Sequence, residues 1–537
     1  MRPSYWFADV EKGVFMNQIN SNTGSDLVKQ VNAAVLEEEE KYSSHKNNKR
    51  SDEKFDSEFI NSCIANNERG DGVLFAELNR GKFIYNATSG EWLLWVGHYW
   101  ERDFTGRVYD GVELVAMVYV EELTAINRQI SAAQDEGLIN SLKIRQKKLT
   151  RRINRLRSVG GRKNTLEMAA TVGDKSLVVT SDRLDVSPWL LACQNCVIDL
   201  RTGESRPGLT TDFLTKAVAV DWPGLDAEAP SWEKFMLEIM DGNQPSVEYL
   251  RRVFGYGITG LTREHIFIIL FGAGRNGKGT MSEVFQKVLG PMAGPIQSEM
   301  LLNQGRVRSS AGPSPDIMTL RGLRLAFASE TEQNQRFSGA RVKSMSSSDT
   351  LIGRNPHDRD STTFSPSHLL ILGTNFKPRA NPDDRAFWDR LHLVKFPLSF
   401  VDKPTALNER PIDRALEDKL MKEGPQILAW LVRGCLEWQQ VGLKPPPEIL
   451  SATAEYRRAE DDLADFIEEK CLVNSEFTVT AKAIYTAFKE WYQVNISDKT
   501  PTQKRFGDAL GRRFEKDQNG PGKTVRYLGI GLLGGID

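Results

Sequence analysis

The chain has 537 residues, with 70 Lys and Arg against 71 Asp and Glu, and five cysteines. That length exceeds what one hydrophobic core fills, so several domains are expected. The net charge of −1 excludes a globally basic nucleic-acid binder and confines any polyanion-binding surface to a local patch. Sparse cysteine and the lack of a long apolar run exclude a disulfide scaffold and predict a soluble protein of a reducing cytoplasm, without membrane attachment.

Residues 1–65 include "EEEEKYSSHKNNKRSDEK", hold too few apolar side chains for a core, and predict a mobile segment. Within residues 70–120, "VLFAELNRGKFIYNATSGEWLLWVGHYWERD" alternates aromatic and β-branched residues between Gly-containing turns, predicting a small antiparallel sheet that ends near Asp103. Over 121–157, Leu123, Ile126, Ile130, Leu142, Leu149, Ile153 and Leu156 recur at helical spacing without proline, which predicts a long helix or helical hairpin. Its second half carries Lys143, Arg145, Lys147, Lys148, Arg151, Arg152, Arg155 and Arg157 with no acidic residue in the run. Such a face suits DNA phosphates, and equally a solvated surface or an acidic neighbouring subunit. "LLACQNCVIDLRTGE" reads as strand, turn and return strand. Its Cys193 and Cys196 have no second pair or nearby histidine, which favours buried structural thiols over zinc. "PSWEKFMLEIMDGNQPSVEYLRRVFGYGITG" then gives two short helices leading to the apolar run "IFIILF".

That run opens into "FGAGRNGKGTMSEVF". Glycines let the backbone from Gly272 through Gly274, Asn276 and Gly277 to Gly279 approach a polyphosphate, and a helix starting near Thr280 turns its positive end to the same anion. Lys278 adds a charge for the β- and γ-phosphates, so this is the predicted ATP site. Gly279 stands where a phosphate loop usually supplies the hydroxyl that helps hold Mg²⁺, which shifts that role to Thr280.

"LRLAFASETE" places an apolar strand, Leu325 to Ala328, before Glu330 and Glu332. Glu330 is the predicted catalytic carboxylate, polarising the attacking water and holding Mg²⁺, with Glu332 auxiliary; two surface glutamates are the plainer reading. "HLLILGTN" ends in Asn375, whose amide suits a water opposite the γ-phosphate. "DDRAFWDRLHLVKF" offers Arg385 and Arg390 as a finger toward a neighbouring subunit's nucleotide. Arg390 is preferred because it directly precedes a strand, and a structural salt bridge is the rival for both.

This order of elements resembles the superfamily 3 helicases of the AAA+ class, in particular the phage and plasmid primase-helicase family related to the poxvirus primase-helicase. "GAGRNGKGT" corresponds to the Walker A motif, "RLAFASETE" to Walker B, "VKSMSSSDTLIGRNPHDRD" to the family's B′ motif, "ILGTN" to its sensor and "WDRLHLVKFP" to its arginine-finger segment. The resemblance is specific over about 230–400 and weaker on both sides. It implies a B′ hairpin in the channel of a ring, following single-stranded DNA, and makes Lys343, Arg354, His357 and Arg359 the DNA contacts. The turn-rich, charged "GRNPHDRDS" suits that task, although an ordinary charged hairpin tip reads the same way.

Beyond residue 450, "TAKAIYTAFKEWYQ" puts Ala481, Ile484, Tyr485, Phe488 and Trp491 on one face. "QKRFGDALGRRFEK" turns Phe506, Leu510 and Phe514 inward and Lys504, Arg505, Arg512, Arg513 and Lys516 outward, and "GKTVRYLGIGLL" reads as a hairpin. This pattern looks like a winged helix that binds DNA or docks a protein.

The expected fold is thus an α/β AAA+ phosphate-loop ATPase core, a parallel sheet flanked by helices. The division is a mobile segment 1–65, an α+β domain 66–229, the ATPase domain 230–400 with a helical lead-in 230–262, a helical connector 401–450 and a winged-helix-like domain 451–537. The expected function is an ATP- and Mg²⁺-dependent DNA helicase, a hexameric ring acting in replication of a phage, prophage or plasmid in a bacterial cytoplasm. One strand would lie in its channel and duplex or fork DNA at its C-terminal domain. No spaced set of metal-binding carboxylates marks a primase, since Asp358 and Asp360 lie inside the basic hairpin, so a separate primase or polymerase is an expected partner. An origin-binding initiator without unwinding and a P-loop ATPase that remodels protein are the rival classes.

Overall fold

The four apolar runs that the sequence marks as strands between residues 267 and 395 enter one parallel sheet, together with a fifth strand, Ala293–Ile296, that it does not mark. The computed structural model describes residues 55–172, 177–304, 313–329, 335–356, 361–496, 498, 500–518 and 524–534. The strands are β1 (Phe267–Phe271), β2 (Ala293–Ile296), β3 (Leu325–Ser329), β4 (Leu369–Thr374) and β5 (Leu391–Lys395), in the order β5-β1-β4-β3-β2. All four pairings are parallel. A parallel sheet needs cover on both faces, which is why its strands read as continuous apolar runs. On β1, Ile268 and Leu270 enter one buried cluster with Met281, Val284 and Phe285, while Phe267 and Ile269 enter a second with Phe337, Phe387, Trp388 and Tyr456.

The sheet order has a direct consequence for chemistry. Because β4 lies between β1 and β3, the residues that follow all three strands open on the same edge of the sheet, the crevice where α/β folds place their sites. The helix Lys278–Leu289 is anchored beside that edge by Met281, Val284, Phe285, Val288 and Leu289, buried at helical spacing. Burial of each larger side chain contributes about 1.5–3 kcal/mol, enough to hold the first turn in place.

The chain divides into Met1–Asn67 and Glu68–Asp537. In the first, the described part is the helix Ser57–Ala65, capped by Asp56, whose carboxylate accepts from Glu58 N at 3.3 Å. The expected mobile segment lies mostly outside the described residues.

The sheet expected within 70–120 is present but shorter. It is a meander of Phe83–Asn86, Glu91–Trp95 and Trp100–Arg102, joined in parallel by Val178–Val179. "VLFAEL" is helical instead, within Asn67–Leu78, and the helix expected from residue 121 begins at Val108. Asp103 explains that start: its carboxylate accepts from Arg107 N and Val108 N at 2.9 and 2.8 Å, holding the first turn. From there Val108, Val112, Val115, Ala116 and Tyr119 follow helical spacing into the core. The long helical element is a hairpin, Val108–Ala132 and Glu136–Leu156, followed by Val159–Ala169. Leu190–Ala192, Val197–Asp199 and Ser205–Arg206 form a small antiparallel sheet.

Cys193 and Cys196 are free thiols at its turn, buried at 0% and 9% exposure, with Cys193 N donating to Cys196 O at 2.8 Å. Hydrogen bonding to Cys196 and burial push the Cys193 thiol up. Among the described residues no three His, Cys, Asp or Glu side chains gather as a metal site, and no helix is long and apolar enough to cross a membrane.

At the C-terminal end, helices Asp462–Lys470, Ala481–Asn495 and Gln503–Leu510 pack on a three-stranded antiparallel sheet. Its middle strand is Arg526–Leu532, between Cys471–Thr480 and Lys516–Asp517. The stretch read as a hairpin is therefore one strand. Ile484, Phe488, Trp491, Phe506 and Leu510 are buried as expected. Arg512, expected outward, is exposed, whereas Arg513, also expected outward, is half-buried; both lie past the helix end, where Arg512 pairs with Asp383 at 2.8 Å and Arg513 with Asp461 at 2.7 Å.

Candidate functional site

Three loop residues show why the sequence between β1 and its helix has to be glycine-rich. A Cβ on Gly272 would lie 2.2 Å from Asn276 Nδ2 and 2.6 Å from Phe396 O. Gly277, at φ +84°, would set a Cβ 2.5 Å from Ile239 Cγ2, and Gly274 adopts φ +92°. The loop is thus pressed against its neighbours and turned by left-handed residues, including Arg275 at φ +50°. It is also braced from beyond β5, where Phe396 N donates to Phe271 O at 2.7 Å and Phe400 N to Arg275 O at 2.6 Å.

Lys278 opens the helix, and no side chain caps that N-terminus. The first-turn amides and the helix dipole are left facing the loop, an arrangement suited to an anion. Lys278 is 9% exposed, and its Nζ donates to Gly272 O at 2.8 Å and to Asn375 Oδ1 at 3.2 Å. Both acceptors are neutral, and burial pushes the ammonium down to about 8. Asn276 is 3% exposed and its Nδ2 has no hydrogen-bond acceptor among the described residues. A buried cation with no carboxylate partner among the described residues, an unpaired amide donor and an uncapped helix start fit a polyphosphate.

Gly279 is exposed, and a Cβ there would meet nothing within 4 Å. Space therefore does not impose the glycine that replaces the usual hydroxyl residue. Thr280, half-buried in the first turn, carries the hydroxyl nearest in sequence to Lys278.

Asn375 follows β4 and reaches Lys278, so the structure joins two residues that the sequence reading linked through their roles. The register sets Ser329, the last residue of β3, opposite Gly373. Glu330 and Glu332 lie outside the described residues. Sequence reading passed over Lys377, two positions beyond Asn375. With Phe271, Asn375, Phe376, Tyr456, Ala459 and Glu460 it lines a cavity of about 320 Å³, its ammonium 5.2 Å from the Phe271 ring centre and 5.0 Å from that of Tyr456. A cation two positions after the strand-ending asparagine was the signal available.

The remaining candidates lie apart from this loop. Arg390 precedes β5 at the end opposite the loop, its Nη1 donating to Ala386 O at 3.0 Å. Arg385 is exposed and pairs with Asp389 at 3.4 Å. Lys343 sits on the helix Gly339–Met345, not on a hairpin, and is held by Asp384 at 2.9 Å; Asp384 also caps the helix Arg385–Trp388. The expected hairpin is present, Leu351–Gly353 against Thr362–Phe364. Arg354 stands at its first corner, its O accepting from Ser314 N at 2.9 Å and its N donating to Ser314 Oγ at 3.1 Å. His357 and Arg359, the tip candidates, lie outside the described residues.

A five-stranded parallel α/β sheet with a glycine-rich strand–loop–helix at its C-terminal edge defines the class. Residues 72–241 match the family model described as "D5 N terminal like". In sequence the chain is similar to "Putative helicase L207/L206" of Acanthamoeba polyphaga mimivirus, 23% identical over 345 residues, covering 62% of this chain and 36% of that one. It is similar to "Putative helicase 022R" of Frog virus 3 (isolate Goorha), 29% identical over 240 residues, covering 42% and 24%. It is also similar to "Putative primase C962R" of African swine fever virus (isolate Tick/Malawi/Lil 20-1/1983), 23% identical over 335 residues, covering 59% and 34%. The chain thus spans between 24% and 36% of the length of these relatives. The resemblance to primase-helicases related to the poxvirus enzyme is borne out by these names and by the D5-like region. That region covers the part of the chain where the motifs carried the resemblance least.

Proposed function

We propose that the chain is an ATP-driven DNA helicase, a ring-forming translocase serving the replication of a viral, phage or plasmid genome. The observation that carries this reading is the contact between Lys278 and Asn375 across neighbouring parallel strands. It brings a buried cation, with no carboxylate partner among the described residues, and the amide that we assign to orienting water to one edge of the sheet. The loop from Gly272 to Thr280 would hold the triphosphate and Thr280 would offer Mg²⁺ a hydroxyl. Bound Mg²⁺ would neutralise charge on the phosphate oxygens. Glu330, next after Ser329, is the proposed base for the attacking water. The β5-β1-β4-β3-β2 order supports the AAA+ reading, because it sets the residue after β4 between the loop and the residue after β3.

Arg390 stands about 16 Å or more from the loop along β5, across the five strand residues Leu391–Lys395 at about 3.3 Å each, so its finger role requires a second copy of the chain. The hairpin 351–364 is the proposed strand-tracking element, with Arg354, His357 and Arg359 as its cations. Lys343 acts through Asp384 in this reading, steadying the helix before Arg390. The C-terminal helices and sheet are the proposed winged helix, with Lys504 and Arg505 as its exposed cations.

Strand displacement on forked DNA, run beside a particle-size measurement, tests the proposal. ATP-dependent unwinding by a multimer that is lost in Lys278→Ala is the expected result. Tight duplex binding without strand separation would indicate an initiator. Hydrolysis insensitive to DNA would indicate a remodelling ATPase.

A further inference from the structure

The cations of the helix Glu136–Leu156 and its C-cap Arg157 divide into two sets. Arg145, Arg152, Arg155 and Arg157 pair with Glu122, Asp71, Glu68 and Glu113, carboxylates on the helices Asn67–Leu78 and Val108–Ala132. These four tie the helical layer together. Lys143, Lys147, Lys148 and Arg151 are exposed, and among the described residues none of them has an ion pair. No acidic residue occurs between 137 and 166, so nothing along this stretch of chain offsets their charge.

The spacing of the unpaired set is regular. Lys143, Lys147 and Arg151 follow at intervals of four, which stacks them on one face at about 6 Å per step, with Lys148 alongside. Two kinds of partner take such a stripe, an acidic protein or a nucleic-acid backbone. A protein interface needs an apolar or aromatic centre and is poor in lysine. Between residues 140 and 157, the one large apolar side chain exposed is Ile144. A chain of phosphates needs no such centre and gains from each lysine by releasing counterions.

We propose that Lys143, Lys147, Lys148 and Arg151 form a docking surface for the phosphodiester backbone of DNA, separate from the phosphate loop, the hairpin and the C-terminal domain. The surface does not depend on ATP. It would hold DNA on the region that precedes the ATPase core, adding affinity without sequence preference.

Fluorescence anisotropy of the full chain, without nucleotide, on a labelled mixed-sequence DNA at about 50–200 mM salt tests this. Replacing all four residues by Gln is expected to weaken binding about tenfold or more at the low-salt end. The plot of log affinity against log salt should become shallower by about 2–4. Running the DNA as single strand and as duplex assigns the backbone by which form changes more. Exchanging the three lysines for Arg should preserve affinity and slope. An unchanged slope in the Gln variant on both DNA forms overturns the proposal, as does a lost affinity with no change of slope. If the fourfold variant melts early, the pairs Lys143→Gln with Lys147→Gln and Lys148→Gln with Arg151→Gln are read in the same way. Because no nucleotide is present, the outcome is independent of whether the chain hydrolyses ATP or unwinds DNA.

Discussion

Arg152 and Lys278 are both cations largely withdrawn from solvent, and they differ in what faces them. Arg152 meets a carboxylate: its Nη2 lies 2.6 Å from Asp71 Oδ2 and its Nε donates to Oδ1 at 3.0 Å, while Tyr119 adds a hydroxyl donor at 3.0 Å. Lys278 meets a carbonyl and an amide oxygen. A charge neutralised within the chain fixes the packing of the elements that carry it. A charge left with neutral acceptors costs the fold free energy and keeps its attraction for an incoming anion.

The largest expected effect breaks the first arrangement. Asp71→Ala leaves Arg152 buried and unpaired, and should cost about 3–5 kcal/mol in chemical denaturation. A loss below about 1 kcal/mol would mean that water already screens the pair. The second arrangement should respond in the opposite direction. Lys278 has its ammonium depressed from 10.5 to about 8, so its charge opposes folding at neutral pH, and that cost fades as pH rises from about 8 toward 10.5. Lys278→Met should therefore leave stability unchanged or raise it by up to about 3 kcal/mol while abolishing ATP hydrolysis. Destabilisation in the same assay would put Lys278 with Arg152 as a structural cation.

Gly277→Ala falls between these. Its φ of +84° and the 2.5 Å approach to Ile239 Cγ2 should cost about 1–3 kcal/mol and loosen nucleotide binding. Gly279→Ser, one turn residue away in open space, should stay within about 0.5 kcal/mol of the parent in the same melt.

The gentlest probe is pH. A bound polyphosphate favours the Lys278 ammonium, so nucleotide affinity should be level below about pH 8 and fall by up to about tenfold per unit above it. A flat profile from pH 7 to about 9.5 would show that Lys278 does not titrate in the accessible range.

How far each cation could be read in advance follows from the range of its interactions. The loop was legible because the pattern changes within ten residues, from an unbroken apolar run through glycines to helical spacing, and Lys278 sits at the change. Four of the five core strands were legible for the same reason, since a strand buried on both faces leaves a continuous signature; β2, Ala293–Ile296, was not, because it is short and carries Gly294 and Pro295. Asn375 was legible as a strand end, although its reach to Lys278 needed β4 to lie beside β1. The helix from Val108 was not, because "VYDGVELVAMVYV" is rich in β-branched and aromatic residues that favour strands, and packing against the hairpin overrides that preference. The pairing of Arg145, Arg152, Arg155 and Arg157 was hidden because their carboxylates stand 23 to 87 residues earlier in the chain. The pairing of Arg512 and Arg513 was hidden for the same reason, at separations of 129 and 52 residues.

One further consequence lies in β5. Its far end carries Arg390, and the segment beyond its near end is stitched to the loop by Phe396 N on Phe271 O and Phe400 N on Arg275 O. In mechanical terms the strand is a short tie rod, with the arginine at one end and the floor of the proposed phosphate cradle at the other. Fixing Arg390 against another surface would clamp that rod, and the cradle is the part it is bolted to.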